Sequence, residues 1–195
     1  MNRIQVAVTA CVALLLGACA SSPPVRFYAL DTVPRNPVET IDGGTNIGLG
    51  PMNFPDYLKR PQIVTRTTGS EMKIAEFERW AEPVDRSFSR ILAGNVDEML
   101  ESAVVVVFPY NLNIRIDIRI VGRVFRFDTD ESGQAVLDVQ WVASDGKGKM
   151  FVEPRRAHYE ARASDPRDYD AIVMALNETL SAFSRDVAVA LEEHL

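Results

Sequence analysis

The stretch Ile114-Arg115-Ile116-Asp117-Ile118-Arg119-Ile120 alternates strictly between isoleucine and a charged residue. Side chains of a β-strand point alternately to opposite faces of the sheet, so this period predicts a strand with one buried and one solvated face. Downstream, Phe125 and Phe127 occupy odd-numbered positions, whereas the isoleucines occupy even-numbered ones. We therefore expect a β-bulge near Gly122 that switches the buried side.

Further strands follow and precede this one. Ala135–Ala143 resumes the alternation after a hairpin turn at 128–133, and Met150–Arg162 is the next strand candidate after a turn at Asp145–Gly148. Earlier extended runs, bounded by proline and glycine, predict strands at Arg26–Leu30, Ile47–Met52, Gln62–Thr67, Glu71–Trp80 and Val104–Phe108.

Two segments have the spacing of amphipathic helices. Val84–Glu101 carries apolar residues every three or four positions, and a second helix follows Ser164-Asp165-Pro166, which predicts a cap and a proline in the first turn. Its apolar stripe comprises Ile172, Val173, Leu176, Leu180, Phe183, Val187 and Leu191. This element order, with hairpin-length links between the later strands, predicts an α+β fold in which both helices pack on one face of a mainly antiparallel sheet.

The N-terminal region predicts a lipid anchor. Leu16-Gly17-Ala18-Cys19 is a lipobox pattern, and it closes an apolar run too short for a transmembrane helix. We expect residues 1–18 to be a cleaved signal peptide, Cys19 to be the lipidation site, 19–25 to be a tether and 26–195 to form one periplasmic domain. The alternative is an ordinary secretory signal with an incidental cysteine.

Several expectations follow from this anchor. Three acyl chains would attach the protein to a membrane permanently. Ala20 stands where many inner-membrane lipoproteins have aspartate, which favours the periplasmic leaflet of the outer membrane. Cys11 would leave with the signal peptide, so no thiol would remain for a disulfide or a metal site once Cys19 is acylated.

Charge and catalytic motifs restrict the function further. The net charge of −6 becomes −7 once Arg3 is removed, which argues against nucleic acid as a partner. The two histidines, His158 and His194, have no nucleophile or metal ligand at motif spacing, and the acidic turn near Asp128 and Asp130 lacks the full spacing of a calcium loop. We therefore expect no enzymatic activity, no metal and no cofactor other than the covalent lipid.

Four short motifs together resemble the ABC-type transport auxiliary lipoproteins, the PqiC-like family. They are Phe27-Tyr28-Ala29-Leu30, Ile47-Gly48-Leu49-Gly50-Pro51, the run from Phe54-Pro55-Asp56-Tyr57-Leu58 to Thr65, and Arg79-Trp80-Ala81-Glu82-Pro83. One departure is Pro109-Tyr110, where family members often have tryptophan after the proline.

The resemblance implies a function. It implies a non-enzymatic outer-membrane lipoprotein that works with an inner-membrane protein containing MCE domains, which bridges the periplasm and conducts lipids. It also implies a homo-oligomeric ring as a further possibility. This chain would be the outer-membrane docking component of that transport system.

A proline-bounded segment is the candidate for partner docking. Within Pro51–Gln62, the side chains of Phe54, Tyr57 and Leu58 cannot easily be hidden in a strand. They are either a docking surface or the closure of one end of the core, and the sequence does not decide between the two.

Two rival functions remain open. An independent carrier that encloses a lipid would need a curved sheet around unfilled apolar volume. The two apolar helices predicted here should fill that volume instead. An envelope hydrolase is opposed by the scarcity of histidine and by the lack of a nucleophile motif.

Overall fold

The computed structural model describes residues 23–31, 44–67, 69–100, 103–110 and 114–195. Within these ranges the chain forms eight strands, two α-helices and a short 3-10 helix at Asp56–Leu58. The strands are β1 (Arg26–Tyr28), β2 (Thr45–Asn53), β3 (Gln62–Arg66), β4 (Met72–Trp80), β5 (Ala103–Val107), β6 (Ile118–Asp130), β7 (Gln134–Asp145) and β8 (Met150–Arg162); the helices are α1 (Val84–Met99) and α2 (Tyr169–Glu192). The expected signal peptide, Cys19 and residues 20–22 of the tether lie outside the described residues.

All eight strands join one sheet, and the sheet is mixed, so the prediction of a mainly antiparallel sheet is wrong in that respect. The pairs β3–β4, β6–β7 and β7–β8 are antiparallel, as their short links predict. The pairs β1–β4, β2–β5, β2–β6 and β3–β6 are parallel. These parallel partners are separated by longer stretches of chain, for which hairpin rules give no strand direction.

Strand β6 is the central strand of the sheet and pairs with β2, β3 and β7. It begins at Ile118, four residues later than the alternation from Ile114 predicts, and one of its edges pairs with β7 as far as Thr129. The other edge pairs first with β2, where Ile47 is opposite Ile118, and finally with β3, where Thr65 is opposite Thr129. Strands β2 and β3 therefore follow one another along one edge, and the residues between them bridge the gap.

Both helices cover the same face of the sheet, as predicted. Phe88 of α1 packs edge-to-face on Phe127 of β6, with ring centroids 5.3 Å apart. Phe183 of α2 packs on Trp141 of β7 at 6.0 Å. All four side chains are buried, so the core lies between this face and the two helices.

The predicted bulge exists, but it lies three residues beyond Gly122. Phe125 is the extra residue of β6 relative to β7. Val124 before it and Phe127 after it are both buried, which explains the switch of parity. Phe125 itself is 37% exposed, and the Arg156 guanidinium lies 4.6 Å from its ring.

Helix α2 begins at Tyr169, later than predicted. Its N-cap is Asp168, whose carboxylate accepts a hydrogen bond from the backbone N–H of Asp170 at 3.1 Å. The residues Ser164-Asp165-Pro166 form a turn before the helix, in which the Asp165 carbonyl accepts from the Asp168 N–H at 3.2 Å. Both Asp165 and Asp168 are suitable N-cap residues. The sequence predicts a cap at Ser164-Asp165-Pro166, whereas the observed cap is Asp168.

Candidate functional site

The docking segment, Pro51–Gln62, comprises the last three residues of β2, the stretch that bridges the gap to β3, and the first residue of β3. Phe54 is 6% exposed and packs edge-to-face on Phe88 at 5.1 Å. Leu58 is 5% exposed and belongs to the same core. Two of the three side chains proposed for docking therefore close the end of the core, and Tyr57 remains half-buried. Whether the segment contacts a partner stays a prediction.

Tyr57 is held by a buried carboxylate. Its hydroxyl donates to Asp128 Oδ2 at 2.8 Å, and Arg66 Nη2 donates to the same oxygen at 3.1 Å. Arg126 Nε donates to Oδ1 at 2.7 Å. Burial, together with the neighbouring Asp128 charge, raises the pKa of Tyr57, so its hydroxyl remains a neutral donor.

Asp128 does not belong to the hairpin turn, so the prediction from the sequence is wrong for this residue. It lies inside β6 with a fully buried side chain. Asp130 organises the turn instead, because its Oδ1 accepts from the backbone N–H groups of Ser132 and Gln134 at 2.8 and 3.0 Å. Among the described residues, no group of three acidic, histidine or cysteine side chains is placed to hold a metal ion.

The exposed part of the docking segment is charged. Asp56 and Lys59 form an ion pair at 2.9 Å, with side chains 95% and 49% exposed. Such an exposed pair contributes little to stability. These two side chains are therefore the positions at which a partner contact can be tested without disturbing the core.

A second candidate surface is the groove between β8 and the C-terminal half of α2, which we call the β8–α2 groove. It has a volume of about 720 Å³. Its lining is mainly apolar and acidic: Phe151, Val152, Glu153, Pro154, Arg155, Asp186, Val189, Ala190, Glu193 and His194. Strand β8 pairs with β7 alone, so its outer edge is unpaired among the described residues.

The walls of this groove are fixed by two contacts. The Tyr159 hydroxyl donates to Asp186 Oδ2 at 2.7 Å, which joins β8 to α2, and burial raises the pKa of Tyr159. The His194 ring stacks on Phe151 with centroids 4.0 Å apart. Sequence reasoning missed the groove because it forms only when the helix end meets the edge strand. The sequence signal for an exposed apolar surface was Val189, an apolar residue outside the predicted apolar stripe of α2. In the structure its side chain is 63% exposed.

His158 lies on the opposite, solvated face of the sheet. Its Nδ1 is 2.6 Å from Asp138 Oδ1, and its Nε2 is 3.0 Å from Glu160 Oε1. Hydrogen bonding to Asp138, and then to Glu160, raises the pKa of His158 above 6.5. The arrangement stabilises an imidazolium across β7 and β8.

His158→Gln should lower the melting temperature more at about pH 5.5 than at about pH 8.5. A raised folded-state pKa gives stability that is complete below the unfolded value of 6.5 and is lost as pH rises through the folded value. The side chain is 53% exposed, so the difference should stay below about 1 kcal/mol. Asp138→Asn should weaken the same pH dependence in thermal unfolding, because Asp138 is the larger of the two causes and the Glu160 contact remains. Equal losses at both pH values would contradict the assignment.

The chain matches the family model described as "ABC-type transport auxiliary lipoprotein component" over residues 28–188. A solved structure of an uncharacterized protein shares 21% identity, covers 87% of this chain and 99% of its own, and superposes with a TM-score of 0.73. A Xanthomonas campestris protein shares 17% identity over 87% of this chain and 98% of its own, with a TM-score of 0.69. At these identities the two structures establish the fold alone. A comparison with curated proteins gives no match.

Proposed function

The chain belongs to the family of ABC-type transport auxiliary lipoprotein components, and from this premise we propose that it is the outer-membrane docking subunit of an MCE-type intermembrane lipid transport system. The family match carries the proposal, because residues 28–188 include nearly all of the sheet and both helices. The resemblance of the four sequence motifs to PqiC-like members supports an MCE-domain protein of the inner membrane as the partner. The subunit itself would be non-enzymatic.

The proposed anchor is a lipid on Cys19, placed in the periplasmic leaflet of the outer membrane. The lipobox supports lipidation, and Ala20 supports outer-membrane sorting. None of the helices in the described part of the chain has the length and apolar character to cross a membrane. Mass spectrometry of the N-terminal peptide should find Cys19 diacylglyceryl-modified and N-acylated.

Docking requires an accessible surface, and the β8–α2 groove is the better candidate of the two surfaces. It combines apolar side chains with three carboxylates, Glu153, Asp186 and Glu193, against the single guanidinium of Arg155. That charge balance suits a partner segment with apolar side chains and lysine or arginine beside them. The docking segment offers mainly the exposed pair Asp56 and Lys59.

The alternative function is an independent periplasmic lipid carrier. A carrier needs unfilled apolar volume between sheet and helices. That space is occupied by large side chains, since Phe88, Trp141 and Phe183 are at most 1% exposed. The filled core favours docking over carriage.

A homo-oligomeric ring is also proposed, on the strength of the family resemblance. Strands β1, β5 and β8 each pair with a single neighbour among the described residues. An unpaired strand edge offers backbone donors and acceptors to a second copy.

Affinity purification of the tagged, membrane-extracted lipoprotein should recover an MCE-domain protein. Val189→Asp should reduce that recovery at least about tenfold, because a buried charge at an interface core weakens binding by more than 1.4 kcal/mol. Met174→Asp is the matched control on the same helix, because Met174 is 65% exposed and lies outside the groove. Recovery should be unchanged in that control.

The same assay distinguishes the two candidate docking surfaces, and it distinguishes the docking function from the carrier function. If the double charge reversal Asp56→Lys with Lys59→Glu reduces recovery and Val189→Asp does not, the docking segment is the partner surface. If wild-type protein recovers stoichiometric phospholipid and no MCE-domain protein, the carrier function replaces the docking function.

A further inference from the structure

The first described strand presents apolar side chains to solvent. Phe27 is 66% exposed, the largest value among the large hydrophobic side chains of the described residues, and Val25 is 39% exposed. Val25 directly precedes β1, and it lies two positions before Phe27 with the strand residue Arg26 between them, so the two side chains point to the same side. The next residue, Tyr28, is buried, and its carbonyl accepts from the Ala81 N–H at 2.8 Å. Phe27 is thus held outward by a fixed strand.

A cation accompanies this exposed aromatic ring. Phe27 is in register with Arg79 on the parallel strand β4, so both side chains lie on one side of the sheet. Arg79 Nε is buried and has no hydrogen-bond partner among the described residues. Arg26, by contrast, donates to Glu78 Oε1 at 2.8 Å. The Arg79 side chain as a whole is partly exposed, so the terminal Nη atoms of its guanidinium, and not the buried Nε, are the ones suited to an external anion.

The distance to the proposed anchor restricts what can meet this surface. Six residue steps separate Cys19 from Val25, which at about 3.3 Å each allow roughly 20 Å at full extension. The headgroup region of one leaflet is itself roughly 5–7 Å deep. A surface tethered so closely meets the bilayer at an effective concentration on the order of millimolar.

We infer that Val25 and Phe27 insert into the headgroup region of the anchoring bilayer, with Arg79 against a lipid phosphate. An apolar side chain flanked by arginine is the composition of protein surfaces that lie in the membrane interface. This contact would fix which side of the domain faces the bilayer and leave the β8–α2 groove available to a partner. The inference depends on the lipid anchor of the proposed function.

The test uses full-chain lipoprotein in vesicles of phosphatidylethanolamine and phosphatidylglycerol. Phe27→Cys is labelled with the fluorophore NBD, which reacts there alone once Cys11 has been removed and Cys19 is acylated. We expect a blue-shifted emission and a loss of about half of the intensity with brominated acyl chains, as for insertion at interfacial depth. Val189→Cys, at a matched native exposure of 63%, is the control and should keep its aqueous emission.

Each other outcome overturns the inference in a recognisable way. If both labels behave alike while the protein floats with the vesicles, the anchor stands and the contact is wrong. If the label at position 27 is shielded from aqueous iodide but not quenched by brominated lipid, a second copy covers this surface. If the protein does not float, the lipid anchor of the proposed function fails as well.

A second variant separates the cation from the ring. Arg79→Gln should reduce quenching of the label at position 27 at least about twofold, because loss of the phosphate contact lets this side of the domain lie farther from the bilayer. Unchanged quenching in a variant with wild-type melting temperature would exclude the arginine from the contact.

Discussion

Phe88→Ala is expected to lower the free energy of unfolding by about 3–5 kcal/mol. Phe88 is fully buried, and its ring lies 5.1 Å from Phe54, 5.3 Å from Phe127 and 6.3 Å from Phe183. These neighbours belong to the docking segment, strand β6 and helix α2. A cavity at this position would remove contacts from three elements at once, and the loss is a large part of the 5–15 kcal/mol typical of a domain.

Urea unfolding followed by circular dichroism measures this loss. Phe125→Ala is the matched control, because Phe125 is 37% exposed at the bulge and is covered on one side by Arg156. Its loss should be below about 1 kcal/mol. Similar losses in both variants would contradict the placement of the core between α1, α2 and β6.

The two phenylalanines illustrate what the sequence could predict. Periodicity located α1 to within two residues of its end, and the turn at Asp145–Gly148 placed β8 at its observed bounds, because both signals depend only on neighbouring positions. The same periodicity indicated a bulge in β6. Periodicity did not locate this bulge at the correct residue, since the extra residue is defined by pairing with β7.

The docking segment shows why the rest could not be predicted. The sequence leaves open whether Phe54 and Leu58 are exposed, because the prolines keep residues 54–61 out of regular strands. Their burial depends on β2 and β3 lying along the same edge of β6, a parallel arrangement between strands distant in sequence. The β8–α2 groove could not be predicted either, because it exists only where the end of helix α2 packs beside strand β8.

Asp128→Asn is expected to lower the free energy of unfolding by about 2–3 kcal/mol. The carboxylate is fully buried and accepts from Tyr57, Arg66 and Arg126. The uncharged amide oxygen of asparagine cannot replace both carboxylate oxygens as acceptor for these three donors. The amide NH2 group would also face a donor where Asp128 presents an acceptor. The two arginine side chains are 31% and 24% exposed, so water partly solvates them and the loss stays below that of a fully buried pair.

Tyr57→Phe removes one hydroxyl from the same network and should cost about 1 kcal/mol in urea unfolding. In the Asp128→Asn background this cost should shrink, since the acceptor has lost its charge. Additive losses would mean that Tyr57 and Asp128 act independently, against the 2.8 Å contact between them. Tyr57 is the half-exposed residue of the three docking candidates, so Tyr57→Phe should also be tested for partner recovery in the affinity purification. A destabilised Tyr57→Phe variant that still recovers the partner fully would assign the hydroxyl to folding.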